Sequence, residues 1–163
     1  MSFSRFSMRD LCRVFTVLLA VSCSPALGQS RQEHVHHMGA QVMPFDLARS
    51  THIFRMTESG GVLRVIVKDA AASDQIELIQ RHLRHETAAF QRGDYADPAA
   101  LHGADMPGLR ELHVGAKRIK VSYAALANGA EITFRTSDRR LLTAIHRWFG
   151  AQLSEHGADA RAE

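Results

Sequence analysis

Cysteine is nearly missing from this 163-residue chain: there are two, Cys12 and Cys23, both near the N-terminus. None follows residue 28, which excludes a disulfide framework, a thiolate metal site and a cysteine nucleophile from everything beyond it. A membrane-spanning run is also lacking. The apolar stretch Val14 to Val21 is too short to cross a bilayer as a helix. Charge of one sign is scarce. Setting aside Arg5, Arg9, Arg13 and Asp10, the 20 basic and 17 acidic residues fall to 17 and 16, a net charge of +1. Without clustered Lys and Arg there is no nucleic-acid footprint. Catalytic signatures are absent too: no Gly-x-Ser-x-Gly elbow, no phosphate-cradling glycine loop and no His-Glu-x-x-His.

Residues 1–28 read as a signal peptide. Three arginines precede the short apolar run, and Ala26-Leu27-Gly28 supplies a small-x-small cleavage site. The expected location is the periplasm, with no membrane contact after cleavage. A lipoprotein anchored at Cys23, in the string Ala20-Val21-Ser22-Cys23, is the alternative. The remaining 135 residues suit one domain with its own core.

Residues 29–48 form a polar, histidine-rich arm, expected to begin flexible. From residue 49 to 157 the pattern is regular. Thr51–Thr57 and Val62–Lys68 alternate around Glu58-Ser59-Gly60-Gly61, which reads as a hairpin. Ser73 or Asp74 can cap a helix to about Gln91 with Ile76, Ile79, Leu83 and Phe90 as its stripe. Residues 93–109 form a Pro/Gly loop, with a short helical turn near 109–113. Ile119, Val121 and Tyr123 then lead to Asn128-Gly129, a strong type I′ hairpin signal, and to Ile132 and Phe134. Ser137 or Asp138 caps a last helix carrying Leu141, Leu142, Ile145, Phe149 and Leu153, and 158–163 is a tail. The order ββα–ββα, with or without a true duplication, predicts an α+β two-layer sandwich: a four-stranded antiparallel sheet with two helices on one face.

All ten histidines lie beyond residue 28. Imidazole binds copper, zinc and nickel, and thioethers favour Cu(I). The first candidate metal group is His34, His36, His37 and Met38, with Met43 behind it; an extended segment would turn His34 and His36 to one side. The second is His82, His85 and Glu86 on one helix, with His146 at the matching place on the last helix, all converging if the two helices pack side by side. The third is the loop His102, Asp105 and Met106. His52 reads as a core-edge residue, and His156 as a partner for a helix dipole.

The stretches Phe45-Asp46-Leu47, Thr51-His52-Ile53-Phe54, Gly60-Gly61-Val62, His82-Leu83-Arg84-His85 and Ala144-Ile145-His146-Arg147-Trp148-Phe149 resemble a family of small exported bacterial proteins of uncharacterised function. Some members carry the name aspartate carbamoyltransferase. That activity needs two α/β domains and a Ser-Thr-Arg-Thr loop, whereas the nearest string here is Arg49-Ser50-Thr51-His52.

The expected function is a periplasmic metal-binding protein, a copper or zinc carrier or sensor; haem ligation is a lesser variant. The alternative is a non-catalytic interaction module with a periplasmic protein partner. A hydrolase or transferase using His102 or His82 as base is the third reading.

Overall fold

The computed structural model describes residues 26–163, with side chains from residue 31 onward; Cys23 and most of the leader lie outside the described residues. The chain runs α1 (Ala26–Val42), β1 (Ser50–Thr57), β2 (Gly60–Val67), α2 (Ser73–Gln91), α3 (Ala96–His102), α4 (Leu109–Gly115), β3 (Lys120–Leu126), β4 (Gly129–Arg135), α5 (Arg139–His156) and β5 (Ala160–Ala162). Both expected hairpins form, β1–β2 and β3–β4, and they join through an antiparallel β2–β4 seam. Gly60 and Gly129 make that seam possible. A Cβ at either would fall 1.9 or 2.0 Å from a carbonyl oxygen of the facing strand.

The α+β class holds, but its detail differs from the four-stranded expectation. The sheet has five strands in the order β3-β4-β2-β1-β5, and β5 runs parallel to β1, so the sheet is mixed. Residues 160–162, read as tail, pair with His52, Ile53 and Phe54 because α5 delivers them to the free edge of β1. A three-residue strand of Ala-Arg-Ala has no alternation to betray it. There are also five α-helices among the described residues rather than two.

The sheet's inner face carries Phe54, Leu63, Val65, Val121, Ala130, Ile132 and Phe134. The expected α2 stripe meets them through Ile79, Leu83 and Phe90, and α5 meets them through Ile145, Trp148 and Phe149. Phe90 stacks on Tyr95, Trp148 meets Phe90, Tyr95 and Phe134 edge to face, and Phe149 meets Phe134 edge to face, each pair within 6 Å. Asp138 caps α5, accepting from the Arg140 and Leu141 amides at 2.8 and 3.3 Å. α2 has Ala72 at its cap and no side-chain cap, so neither Ser73 nor Asp74 plays that part.

The N-terminal arm is not extended. Residues 29–42 belong to α1, which lays Val35 against the core while Arg31 pairs with Glu155 of α5 at 2.8 Å. The 93–109 segment is not all loop: α3 occupies its middle and forms the wall of the site below. No helix among the described residues is long and apolar enough to cross a membrane.

One cationic group escaped the sequence reading. Lys117, Arg118, Lys120 and Arg135 line a shallow groove beside β3. Lys120 and Arg135 stand directly across the β3–β4 ladder, where like charges repel.

Candidate functional site

Between the sheet, α2, α3 and α5 lies a cavity of about 50 Å³, room for a metal ion or one or two waters but not for a haem. β1 contributes His52, α2 His82 and Glu86, α3 Asp97 and His102, and α5 Trp148, Gln152 and His156. The alternation that puts Phe54 into the core puts His52 there too, because the two share a face of β1. Helical spacing does the same in α5, where Trp148, Gln152, Glu155 and His156 are all buried.

Six polar atoms on this cavity are buried without a hydrogen-bond partner: His52 Nδ1, Glu86 Oε1, His102 Nε2, Trp148 Nε1, Gln152 Nε2 and His156 Nδ1. Left bare, each such atom costs about 1–3 kcal/mol. The cavity is therefore built for a polar guest. Its charge preference follows from the lining, which has no Lys or Arg and includes two acids, Glu86 and Asp97. The lining also has no Ser, Thr or Cys, so no hydroxyl or thiol nucleophile faces the imidazoles.

Burial in aromatic surroundings sets the protonation. Desolvation drives His52 down to about 3, with His82 and His102 adding repulsion. Desolvation takes His82 down to about 4, against the opposing charge of Asp97. It pushes His156 well below the usual histidine range, and lowers His102 despite its bond to Glu155. These rings are neutral at physiological pH and keep free lone pairs. Glu86 moves the other way, up to about 8, through burial first and then the adjoining Asp97 carboxyl.

Glu86 and Asp97 also line a small outer recess with His85. Their donor atoms and that of His85 lie within 4.8 Å of one another, the one such three-donor group among the described residues. A tetrahedral zinc spaces its donors about 3.4 Å apart, so a modest swing of exposed His85 closes the set.

The expected metal residues divide. His85 and Glu86 come together, and His82 lines the adjoining cavity. His146 does not converge with them: its Nε2 lies 3.1 and 2.9 Å from the carbonyl oxygens of Thr57 and Gly60, where it braces the β1–β2 turn. His34, His36 and His37 are exposed on α1 and Met38 is half-buried. Helical rather than extended backbone turns His34 and His36 to different sides, and His36 instead meets Asp159 at 3.3 Å. Of the third group, His102 is buried in the cavity wall, while Asp105 is exposed and Met106 packs in the core.

Asp97, Glu155 and Gln152 were missed by the sequence reading. Asp97 carried a faint signal, a carboxylate before Pro98 in the first turn of a helix, but nothing local tied it to Glu86. His52 and His156, which read from the sequence as a core-edge residue and a helix-dipole partner, stack at 4.6 Å inside the cavity.

The chain matches no protein-family model, no characterised protein and no solved structure, so the site stands on its own geometry.

Proposed function

We propose that this protein binds a divalent transition-metal ion, zinc or copper(II), at His85, Glu86 and Asp97, and serves as an exported metal carrier or sensor. The observation that carries this reading is Glu86. Its carboxyl is 6% exposed, its Oε1 has no partner, and it sits in reach of a second carboxyl and an imidazole. A cation among the three replaces the proton the carboxyls otherwise compete for, and satisfies the bare oxygen. One nitrogen and two oxygens suit zinc or copper(II) more than soft ions. His85 is exposed and Asp97 half-buried, so the ion has one open side, as exchange with a partner requires.

Calorimetric titration of metal-free protein with zinc and copper(II) tests this. One ion per chain is expected, with affinity falling at least a hundredfold in Glu86→Gln and at least tenfold in His85→Ala. Equal affinity in all three proteins, or loss only when His34, His36 and His37 are replaced, refutes it.

The groove of Lys117, Lys120 and Arg135 favours a second reading, an interaction module for an acidic partner. Retention on a polyanion matrix that is unchanged in Lys117→Glu/Lys120→Glu rules that out.

A further inference from the structure

The imidazole end of the cavity carries more than the divalent reading uses. Five rings follow one another along it, four imidazoles and Phe45. His102 lies 5.0 Å from His156, His156 4.6 Å from His52, His52 5.9 Å from Phe45, and Phe45 5.6 Å from His82, between centroids. Of these, His102 is held in a particular way. Its Nδ1 donates to Glu155 Oε2 at 2.8 Å, and Arg31 of α1 donates to the other oxygen, Oε1, at 2.8 Å. The ion pair fixes the carboxylate and the carboxylate fixes the ring. The hydrogen then resides on Nδ1, and the lone pair of Nε2 faces the cavity, buried and without a partner. A carboxylate that orients an imidazole through one nitrogen while the other stays bare is how metal-ligating histidines are positioned.

His156 is the second donor. Its ring is inclined at 66° to His102, and its Nδ1 is also buried and unpartnered. Two imidazoles on one tetrahedral ion, each nitrogen about 2.0–2.1 Å from it, hold their ring centroids about 5 Å apart. The spacing found is 5.0 Å. His52 stacks on His156 at 19°, and the donor atoms of His52, His102 and His156 do not all lie within 4.8 Å of one another, so His52 reaches a shared ion only after its ring turns. Met43, 5% exposed, brings a thioether to the same cavity. Glu155 is spent on Arg31 and His102.

We propose that this interior end is a second metal site, selective for a soft monovalent ion of the Cu(I) type, held by His102 Nε2 and His156 Nδ1 with Met43 or His52 completing the set. Neutral nitrogen and thioether donors select a soft ion. In a small buried cavity a single charge is also far cheaper to bury than two. The proposal does not rest on the divalent site, because its ligand atoms are different ones.

The test begins with the unaltered protein. Under anaerobic conditions it is titrated with Cu(I) against a chromophoric chelator. Ag(I), a diamagnetic stand-in, is then added while the imidazole nitrogens are followed by NMR. One Cu(I) per chain is expected, with the His102 Nε2 and His156 Nδ1 resonances moving and those of His85 unmoved. His102→Asn, with its fold checked by the near-ultraviolet signal of Trp148, is expected to bind Cu(I) at least a hundredfold more weakly. His85→Ala is expected to lose zinc and keep Cu(I), so the two sites fail separately. Cavity resonances that stay still, shifts confined to the exposed histidines, or Cu(I) lost with His85 each overturn the proposal, and the cavity then holds buried water only.

Discussion

Replacing Glu86 by Gln is expected to change the shape of the stability–pH curve, and the shape can be worked out from the cavity. In the folded protein His52 and His82 titrate at about 3 and 4, and His156 well below the ordinary value of 6.5. The unfolded chain protonates all three near 6.5, so below that pH it binds three more protons than the fold at these positions, and stability falls as pH falls. Glu86 acts oppositely. It keeps its proton in the fold up to about 8, whereas the unfolded carboxyl releases it near 4.5, so between those values stability falls as pH rises. Below 6.5 the balance is two protons, so moving from about pH 6.5 to about pH 5 costs about 4 kcal/mol. His102 adds in the same direction. Above 6.5 the histidines fall silent and Glu86 alone acts, removing about 2 kcal/mol by about pH 8. Stability should therefore peak near the histidine value and decline on both sides. Urea unfolding followed by circular dichroism, in the presence of chelator, reads the curve directly. Glu86→Gln should flatten the alkaline limb and steepen the acid limb from two protons to three. An unaltered protein whose stability is level or rising from about pH 6.5 to about pH 8, or an alkaline limb that survives in Glu86→Gln, would refute this account of the cavity.

Two further outcomes concern the frame around the site. His146→Ala leaves the Thr57 and Gly60 carbonyls without their shared donor and should cost about 1–3 kcal/mol by chemical denaturation, with zinc affinity unchanged; a loss of zinc affinity would return His146 to the metal site. Lys120→Glu puts opposite charges across the β3–β4 ladder facing Arg135 and should stabilise the protein by about 0.2–1 kcal/mol, seen as a raised Tm. A lowered Tm would show that the lysine does something there besides repel.

Much of the architecture was legible because short-range rules decide it. Period-two alternation and Asn128-Gly129 mark the hairpins, and the stripes of α2 and α5 follow the helical period. The misread segments are those where distant contacts overrule local signals. Residues 29–42 are polar and unpatterned, yet they are helical; Val35 is buried and Arg31 reaches Glu155. The Pro/Gly composition of 93–109 hid α3, whose Pro98 sits in the first turn, where a helix tolerates it.

The site divides along the same line. By itself the sequence determined the chemistry available: imidazole and carboxylate without thiolate, on an α+β frame with a narrow apolar stripe on each long helix. It also placed His85 and Glu86 one position apart on a single helix. Only the tertiary structure decided which histidines count. His146 faces a turn, because the packing of α5 across β1 and β2 brings its ring to the Thr57 and Gly60 carbonyls. Asp97 meets Glu86 through α3, and His102 meets Glu155 across 53 positions of chain. Desolvation, which makes these imidazoles neutral and Glu86 a weak acid, belongs to no residue alone. It arises when the Phe45, Phe54, Phe90 and Trp148 rings close around them.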